Sequence, residues 1–375
     1  MEVFCPSCVS RETLTPERWC CECSGAWEPA ENCTFDPEEI DAADASLWRY
    51  LRLLSLGSKC PAFRLNAGWT PLLPLVFEGR QILLKVEYLS PTGSFKDRGA
   101  EVMMNVLASQ GVRRVTDDSS GNAGASVAAY AARSGMECMI FVPAHASPVK
   151  QAQIAQFGAE VRPISGPRHN ANTASLEAVS QGWVPAYHAY HPAFLLGQQT
   201  VAWEIWEQLG RRVPDWYVLP VGQGVHLLGA WLGWRRLRSA GMAAKLPRLV
   251  AVQASAVAPI CHAYELQLSR VEPLESTRSS VAEGLAISAP VRGTRLLEAL
   301  RETHGVCIQV DDPAILDAQR RLARLGFYVE PTSATVIAAL DAVYHAARPE
   351  DVIVVALTGS GLKGSPALEP READR

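Results

Sequence analysis

The chain has 375 residues, 48% of them hydrophobic and 20% charged, with ten cysteines and a formal net charge of −4. That balance belongs to a globular protein with a large core and two or three domains, and it leaves no basic footprint for nucleic acid or a membrane surface. MEVFCPSC lacks the basic and apolar parts of a signal peptide, and the apolar runs break well short of a membrane span.

The first element is a cysteine knuckle. Cys5-Pro-Ser-Cys8 and Cys20-Cys21-Glu-Cys23 form two CxxC pairs a short distance apart, the spacing of a structural zinc site. Cys20 and Cys23 keep the CxxC spacing, so the expected ligands are Cys5, Cys8, Cys20 and Cys23, with Cys21 set aside. Neither pair opens a helix after a strand, which argues against a redox motif. The other five cysteines (Cys33, Cys60, Cys138, Cys261, Cys307) are scattered, which fits a reducing cytoplasm better than a disulfide framework. Residues 35–54, FDPEEIDAADASLWRYLRLL, read as acidic and then helical, and Gly68-Trp69-Thr70-Pro71 as a turn into the core.

QILLKVEYL (81–89) alternates apolar and polar residues and predicts a strand. SPTGS follows, then a helix beginning FKDRGAEVMMNVLASQ, with Ser94 placed to cap it. Lys96 therefore stands at the positive end of a helix dipole, where an ammonium is poorly placed. An imine formed with an aldehyde, beside an anion, would account for it.

VRRVTDD predicts a short strand, and Asn122 opens an alanine-rich helix. The turn Ser119-Ser120-Gly121 offers backbone N–H groups to a carboxylate in front of that helix. The neutral amide of Asn122 suits a phenolate-like oxygen. Further strands and helices alternate: ECMIFVPA, SPVKQAQIAQFG, AEVRPIS, and an amphipathic helix GQQTVAWEIWEQLG with Val201, Ile205 and Leu209 on one face. The five histidines between 145 and 226 show no ligand spacing and read as packing or cleft residues. YVLPV then runs into Gly222-Gln223-Gly224-Val225-His226 and a helix, a glycine turn that lets backbone approach a phosphate. Its glycine spacing is not that of the dinucleotide fingerprint. RLVAVQAS, TRLLEALRETHG, VCIQVDD and PAILDAQRRLARLG continue the alternation, and DVIVVA ends in Thr358-Gly-Ser360-Gly. Alternation of this kind predicts an α/β protein with parallel sheets. The terminal READR reads as a frayed tail.

SPTGSFKDRGA, SSGNAGAS, LPVGQG and LTGSGLK, in that order and spacing, resemble the fold-type-II pyridoxal phosphate enzymes, the tryptophan synthase β-like group. Within it they look most like threonine synthases and their close relatives, over roughly residues 65–364. The resemblance implies two three-layer α/β/α domains behind a small N-terminal cysteine knuckle. The boundaries expected are 1–34 for the zinc-ribbon-like knuckle, 35–102 with 196–375 for the larger cofactor domain, and 103–195 for a smaller mobile domain. It implies Lys96 as the Schiff-base lysine and Asn122 beside the cofactor's 3-hydroxyl. Gly222, Gln223, Gly224, Val225 and His226 would cradle its phosphate, and Thr358 would stand near its ring nitrogen, where a neutral hydroxyl leaves that nitrogen unprotonated. Ser119, Ser120 and Gly121 would face the substrate carboxylate. The partners implied are a small amino-acid substrate and a second copy in a homodimer.

The activity implied is that of a threonine synthase, which converts O-phosphohomoserine and water to threonine and phosphate. The alternative is a relative doing β-elimination or β-replacement on a non-phosphorylated, serine-like amino acid. YHAYHPAFLLGQQT departs from the family pattern: Phe194 stands where the phosphate-holding arginine is expected, and Gln198-Gln199 replace a lysine-bearing stretch. Lys150, His188 and His191 are the residues left to supply that charge. Ser-Ser-Gly-Asn-Ala argues against a plain dehydratase, and intact Lys96, Asn122 and Thr358 argue against a non-catalytic binding protein.

Overall fold

The structure is a computed structural model that describes residues 1–30, 34–56, 61–144, 146–274 and 279–364. Cys33, Cys60, His145 and the READR tail lie outside the described residues.

Three sheets organise the chain. The smallest joins Arg11–Thr13, Glu2–Phe4 and Glu28–Pro29, all antiparallel, and carries the cysteine knuckle. The largest has six strands in the order Val306–Val310, Arg248–Ala254, Trp216–Pro220, Ile353–Ala356, Arg80–Lys85, Leu72–Phe77. Its first five strands are parallel and the last is antiparallel to its neighbour. A four-stranded parallel sheet follows the order Glu160–Ile164, Glu137–Pro143, Arg114–Asp117, Val184–Pro185.

Both faces of the large sheet are covered. Trp216 and Val218 turn to one apolar cluster while Tyr217 and Leu219 turn to the other, and Val250 and Leu249 split the same way. Burial on both sides explains why these strands read as continuous apolar runs rather than alternating ones.

Four expectations change. Residues 35–54 hold only short 3-10 turns at Pro37–Glu39 and Leu47–Tyr50 rather than a helix. The 81–89 strand spans Arg80–Lys85 and then tightens into a 3-10 turn at Glu87–Leu89. Helix Pro192–Gln208 is not amphipathic: every residue from Pro192 to Trp206 is buried, because it packs against helix Val225–Ser239 and against helix Lys96–Ser109. Ser94 does not cap that latter helix, whose N-cap is Phe95 without a side-chain bond. Asp97 ties the loop instead, accepting from the Thr92 N–H at 2.7 Å, the Thr92 hydroxyl at 2.7 Å and the Ser126 hydroxyl at 2.5 Å. One buried carboxylate thus joins the SPTGS turn to the alanine-rich helix Asn122–Ser134.

Candidate active site

The sequence motifs meet at the start of helix Lys96–Ser109. The Phe95 N–H donates to the Thr358 carbonyl at 3.0 Å, and Ser94 bridges to Gly359. The Lys96 ammonium is half-buried between two rings, with Nζ 4.8 Å from the Phe95 centroid and 6.0 Å from that of Phe194. Burial pushes its pKa down to about 8, against the pull of the Asp117 and Glu330 carboxylates. Asp117, at the end of its strand, is pushed up to about 8 by burial and then by neighbouring Asp118.

Asn122 Nδ2 donates to Glu330 Oε1 at 2.9 Å. No sequence motif singles out Glu330. It enters because the Glu330 N–H donates to the Gly359 carbonyl at 3.0 Å, and Gly359 has no Cβ, which would stand 2.1 Å from Glu330 Oε1. Thr358 is 1% exposed, its N–H donates to Ser333 Oγ at 2.7 Å, and its hydroxyl has no hydrogen-bond partner among the described residues. Ser119, Ser120 and Gly121 are half-buried ahead of the Asn122 helix, and the Gly121 N–H reaches Ser119 Oγ at 3.4 Å.

The glycine turn is built by backbone. Gly224 has φ +75°, and a Cβ there would stand 2.4 Å from Leu296 Cδ1; one on Gly222 would stand 2.6 Å from the Gly284 carbonyl. The following helix starts at Val225, so its first amides lack intrahelical acceptors and can hold an anion. The side chains of Gln223 and His226 turn elsewhere. Gln223 Oε1 accepts from the Val291 N–H at 3.1 Å. The His226 ring is buried between Tyr217 Oη and Gln198 Oε1, both 2.8 Å away, and burial lowers its pKa to about 4. Only the His226 backbone remains for a phosphate.

Below the site lies a cluster of four charges that no sequence motif announces. Arg98 Nε bonds Glu87 at 2.6 Å, Arg98 Nη2 bonds Glu204 at 2.7 Å, and Lys85 Nζ bonds Glu204 at 2.9 Å, all fully buried. Two cations against two anions leave it neutral, as a buried cluster requires.

The wall facing Lys96 is uncharged. The Phe194 ring is 1% exposed and lies 5.7 Å from His188, whose pKa is pushed well below the usual imidazole range by burial and then by Lys96. His191 accepts from the Ala193 N–H as the helix cap and is pushed down to about 3 by burial. Both imidazoles are therefore neutral at physiological pH. Lys150 Nζ is 3.0 Å from the exposed carboxylate of Glu283 and is held in that pair. Of the three residues expected to supply cationic charge, none stands free at the wall.

The knuckle gathers Cys5, Cys8, Cys21 and Cys23, with all four Sγ atoms within 4.8 Å of one another. This corrects the expectation of Cys20. The Ser24 N–H donates to the Cys21 carbonyl at 2.8 Å and the Cys21 N–H to the Gly25 carbonyl at 2.9 Å, so the tight turn begins at Cys21. Cys5–Cys23 and Cys8–Cys21 are each 3.5 Å apart, close to the roughly 3.8 Å edge of a tetrahedral zinc–thiolate site.

Ser90 Oγ, Ser94 Oγ, Asp117 Oδ2, Asn122 Oδ1, Thr358 Oγ1 and Lys363 Nζ are buried without a hydrogen-bond partner among the described residues. Such atoms are costly, and all six sit on the segments that converge at Lys96. They fit a polar group entering there, with a lysine for its aldehyde, a hydroxyl for its ring nitrogen and a helix start for its phosphate. Residues 63–359 match the family described as pyridoxal-phosphate dependent enzyme, and the chain belongs to that family. It is 31% identical over 378 residues to the threonine synthase of Methanocaldococcus jannaschii, covering 96% of this chain and 92% of that one. It is 34% identical over 325 residues to the threonine synthase of Mycobacterium bovis, covering 84% and 87%. The solved structure of T.th. threonine deaminase superposes with a TM-score of 0.68 at 28% identity, over 79% of this chain and 94% of that one. The fold is the tryptophan synthase β-like α/β fold, and the chain is a pyridoxal-phosphate-dependent enzyme of the lyase type. Among the described residues no helix is long and apolar enough to cross a membrane.

Proposed function

We propose that the chain is a lyase of the threonine-synthase type whose amino-acid substrate carries no phosphate, and that it performs β-elimination or β-replacement on a serine-like amino acid. Phe194 carries this reading. Its ring stands 6.0 Å from Lys96 Nζ, where the family pattern expects an arginine, and neutral His188 lies beside it. A phosphate dianion buried against that wall would find no charged partner in Phe194, His188 or His191.

Lys96 would hold the cofactor through Nζ, and as a free amine it would take the proton from the substrate's Cα. Pyridoxal phosphate, when bound, would supply the electron sink for loss of that proton. Thr358 Oγ1, buried without a hydrogen-bond partner among the described residues, would meet the ring nitrogen as a neutral donor, which would favour elimination and replacement over transamination. Asn122 holds the 3-oxygen, the amides of Gly222 to His226 hold the phosphate, and Ser119, Ser120 and Gly121 hold the substrate carboxylate. In this reading 35–102 with 196–375 form the cofactor domain and 103–195 the domain that closes on it. The knuckle binds one zinc through Cys5, Cys8, Cys21 and Cys23, and the enzyme works as a homodimer in the cytoplasm.

Conversion of O-phosphohomoserine to threonine and phosphate is the second reading. The similarity to named threonine synthases favours it, and so does Lys363, a 6% exposed ammonium without a partner among the described residues. A panel of O-phosphohomoserine, serine, threonine and O-acetylserine separates the two, with phosphate, ammonia and amino-acid products followed. Turnover of an uncharged substrate without inhibition by millimolar phosphate supports the first reading. Phosphate release from O-phosphohomoserine, lost in Lys363→Met, supports the second.

A further inference from the structure

The knuckle is not a separate appendage. Trp19, beside the cysteines, packs edge-on against Tyr187 at 5.3 Å and Tyr190 at 5.0 Å. Those two residues flank His188, and His188 packs on Phe194 in the wall opposite Lys96. A second tie runs through Arg292, which is 3% exposed. Its Nη2 donates to the Trp27 carbonyl at 2.6 Å and to the Tyr190 carbonyl at 2.9 Å, and its Nε donates to the Ala189 carbonyl at 2.8 Å. One guanidinium thus spans the knuckle and the pocket segment. Glu28, 1% exposed on the knuckle's last strand, pairs with Arg295 at 2.8 Å and lies 3.8 Å from Arg292.

We propose that the four-cysteine metal site fixes the position of the pocket wall, with Trp19 and Arg292 as positioning residues for His188 and Phe194. The ligand class is a tetrahedral, thiolate-seeking dication, zinc in the first place. With the metal bound, the Cys21–Gly25 turn is closed and Trp19 is held against Tyr187 and Tyr190. When the metal leaves, four thiols at 3.5 to 4.8 Å lose their common partner. The turn opens and the backing of the 187–191 segment goes with it. The inference rests on the zinc part of the proposed function and not on the identity of the substrate.

Hydrogen exchange of the zinc-bound, cofactor-loaded protein tests it. The reporters are the Tyr190 and His191 amides, which donate to the Tyr187 carbonyl at 3.0 and 2.9 Å. Removing zinc with a chelator should speed their exchange about tenfold and shift the absorption band of the bound cofactor, while strand Arg248–Ala254 stays protected. Trp19→Ala should do the same with zinc retained, and Trp19→Phe should restore the native rate. Two results overturn the proposal: unchanged exchange at 190 and 191 in both the stripped protein and Trp19→Ala, or protein purified without chelator that holds no metal. Metal analysis reads the site itself and exchange reads the coupling, so failure of one is distinguishable from failure of the other.

Discussion

The ring of Phe194 fills the space that a side chain at position 99 would need: a Cβ on Gly99 would stand 2.4 Å from Phe194 Cδ1. The helix that presents Lys96 and the helix that forms the pocket wall are therefore fitted at two glycines, since a Cβ on Gly197 would stand 2.0 Å from the Arg98 carbonyl. Arginine at 194 would lose this ring contact and bring a charge beside Lys96. Phe194→Arg should cost turnover of an uncharged substrate at least tenfold and create inhibition by inorganic phosphate that the native protein lacks. Native protein already inhibited by phosphate would contradict the apolar wall.

Burial sets the titration of Lys96. Its pKa lies near 8, below the usual 10.5, so the free amine is present above about pH 8 instead of only in strong base. The rate at which cofactor-free protein takes up pyridoxal phosphate should rise with pH to a midpoint near 8. The Asp117 carboxylate opposes the shift, so Asp117→Asn should move the midpoint lower. Stopped-flow absorbance between pH 6 and 10 checks both.

The buried cluster below the site should govern stability. Glu204 is held at about 2: burial acts to raise it, but Arg98 and Lys85 outweigh that effect. A depressed carboxylate pKa gives stability that is present above the ordinary value and lost as pH falls from about 4.5 toward about 2. Glu204→Gln leaves two buried cations against Glu87 alone and should cost about 3–5 kcal/mol. Urea unfolding at pH 7 and pH 4 measures it, and the gap between native and variant should narrow at the lower pH.

The alanine-rich helix, the glycine turn and the lysine are legible in the sequence because backbone chemistry dictates them: small residues and glycines stand where a chain must turn at a helix start. Glu330 and Asp117 are not. Each is an ordinary acidic residue until long-range packing brings it to Lys96. Between Cys20 and Cys21, spacing favours the first and turn geometry selects the second. Arg98 looks like part of the lysine motif, yet its partners Glu87 and Glu204 lie on a 3-10 turn and on a helix more than a hundred residues away. Phe194 is visible as a departure from the family pattern, but its contact with Gly99 appears only in three dimensions.

Metal content should follow that turn geometry. Cys21→Ser should lose most of the bound zinc and lower the unfolding temperature, while Cys20→Ser should keep both close to native. Plasma emission analysis with thermal unfolding decides it, and the reverse pattern would restore the CxxC pairing.

Thr358 should decide the ring nitrogen. Thr358→Asp places a carboxylate where a neutral hydroxyl stands, which should protonate that nitrogen, shift the cofactor's absorption and slow elimination. If spectrum and rate stay unchanged, Ser360, 8% exposed on the same segment, faces the ring instead.

Borohydride reduction of the purified protein followed by peptide mapping tests the central claim most directly. The protein should be yellow, and reduction should fix pyridoxal phosphate to one peptide, the one containing Lys96. Lys96→Ala should bind the cofactor only loosely and lose turnover by several orders of magnitude, because it removes both the point of attachment and the base. A protein that takes up no pyridoxal phosphate, or one in which reduction labels a lysine other than Lys96, would contradict the account.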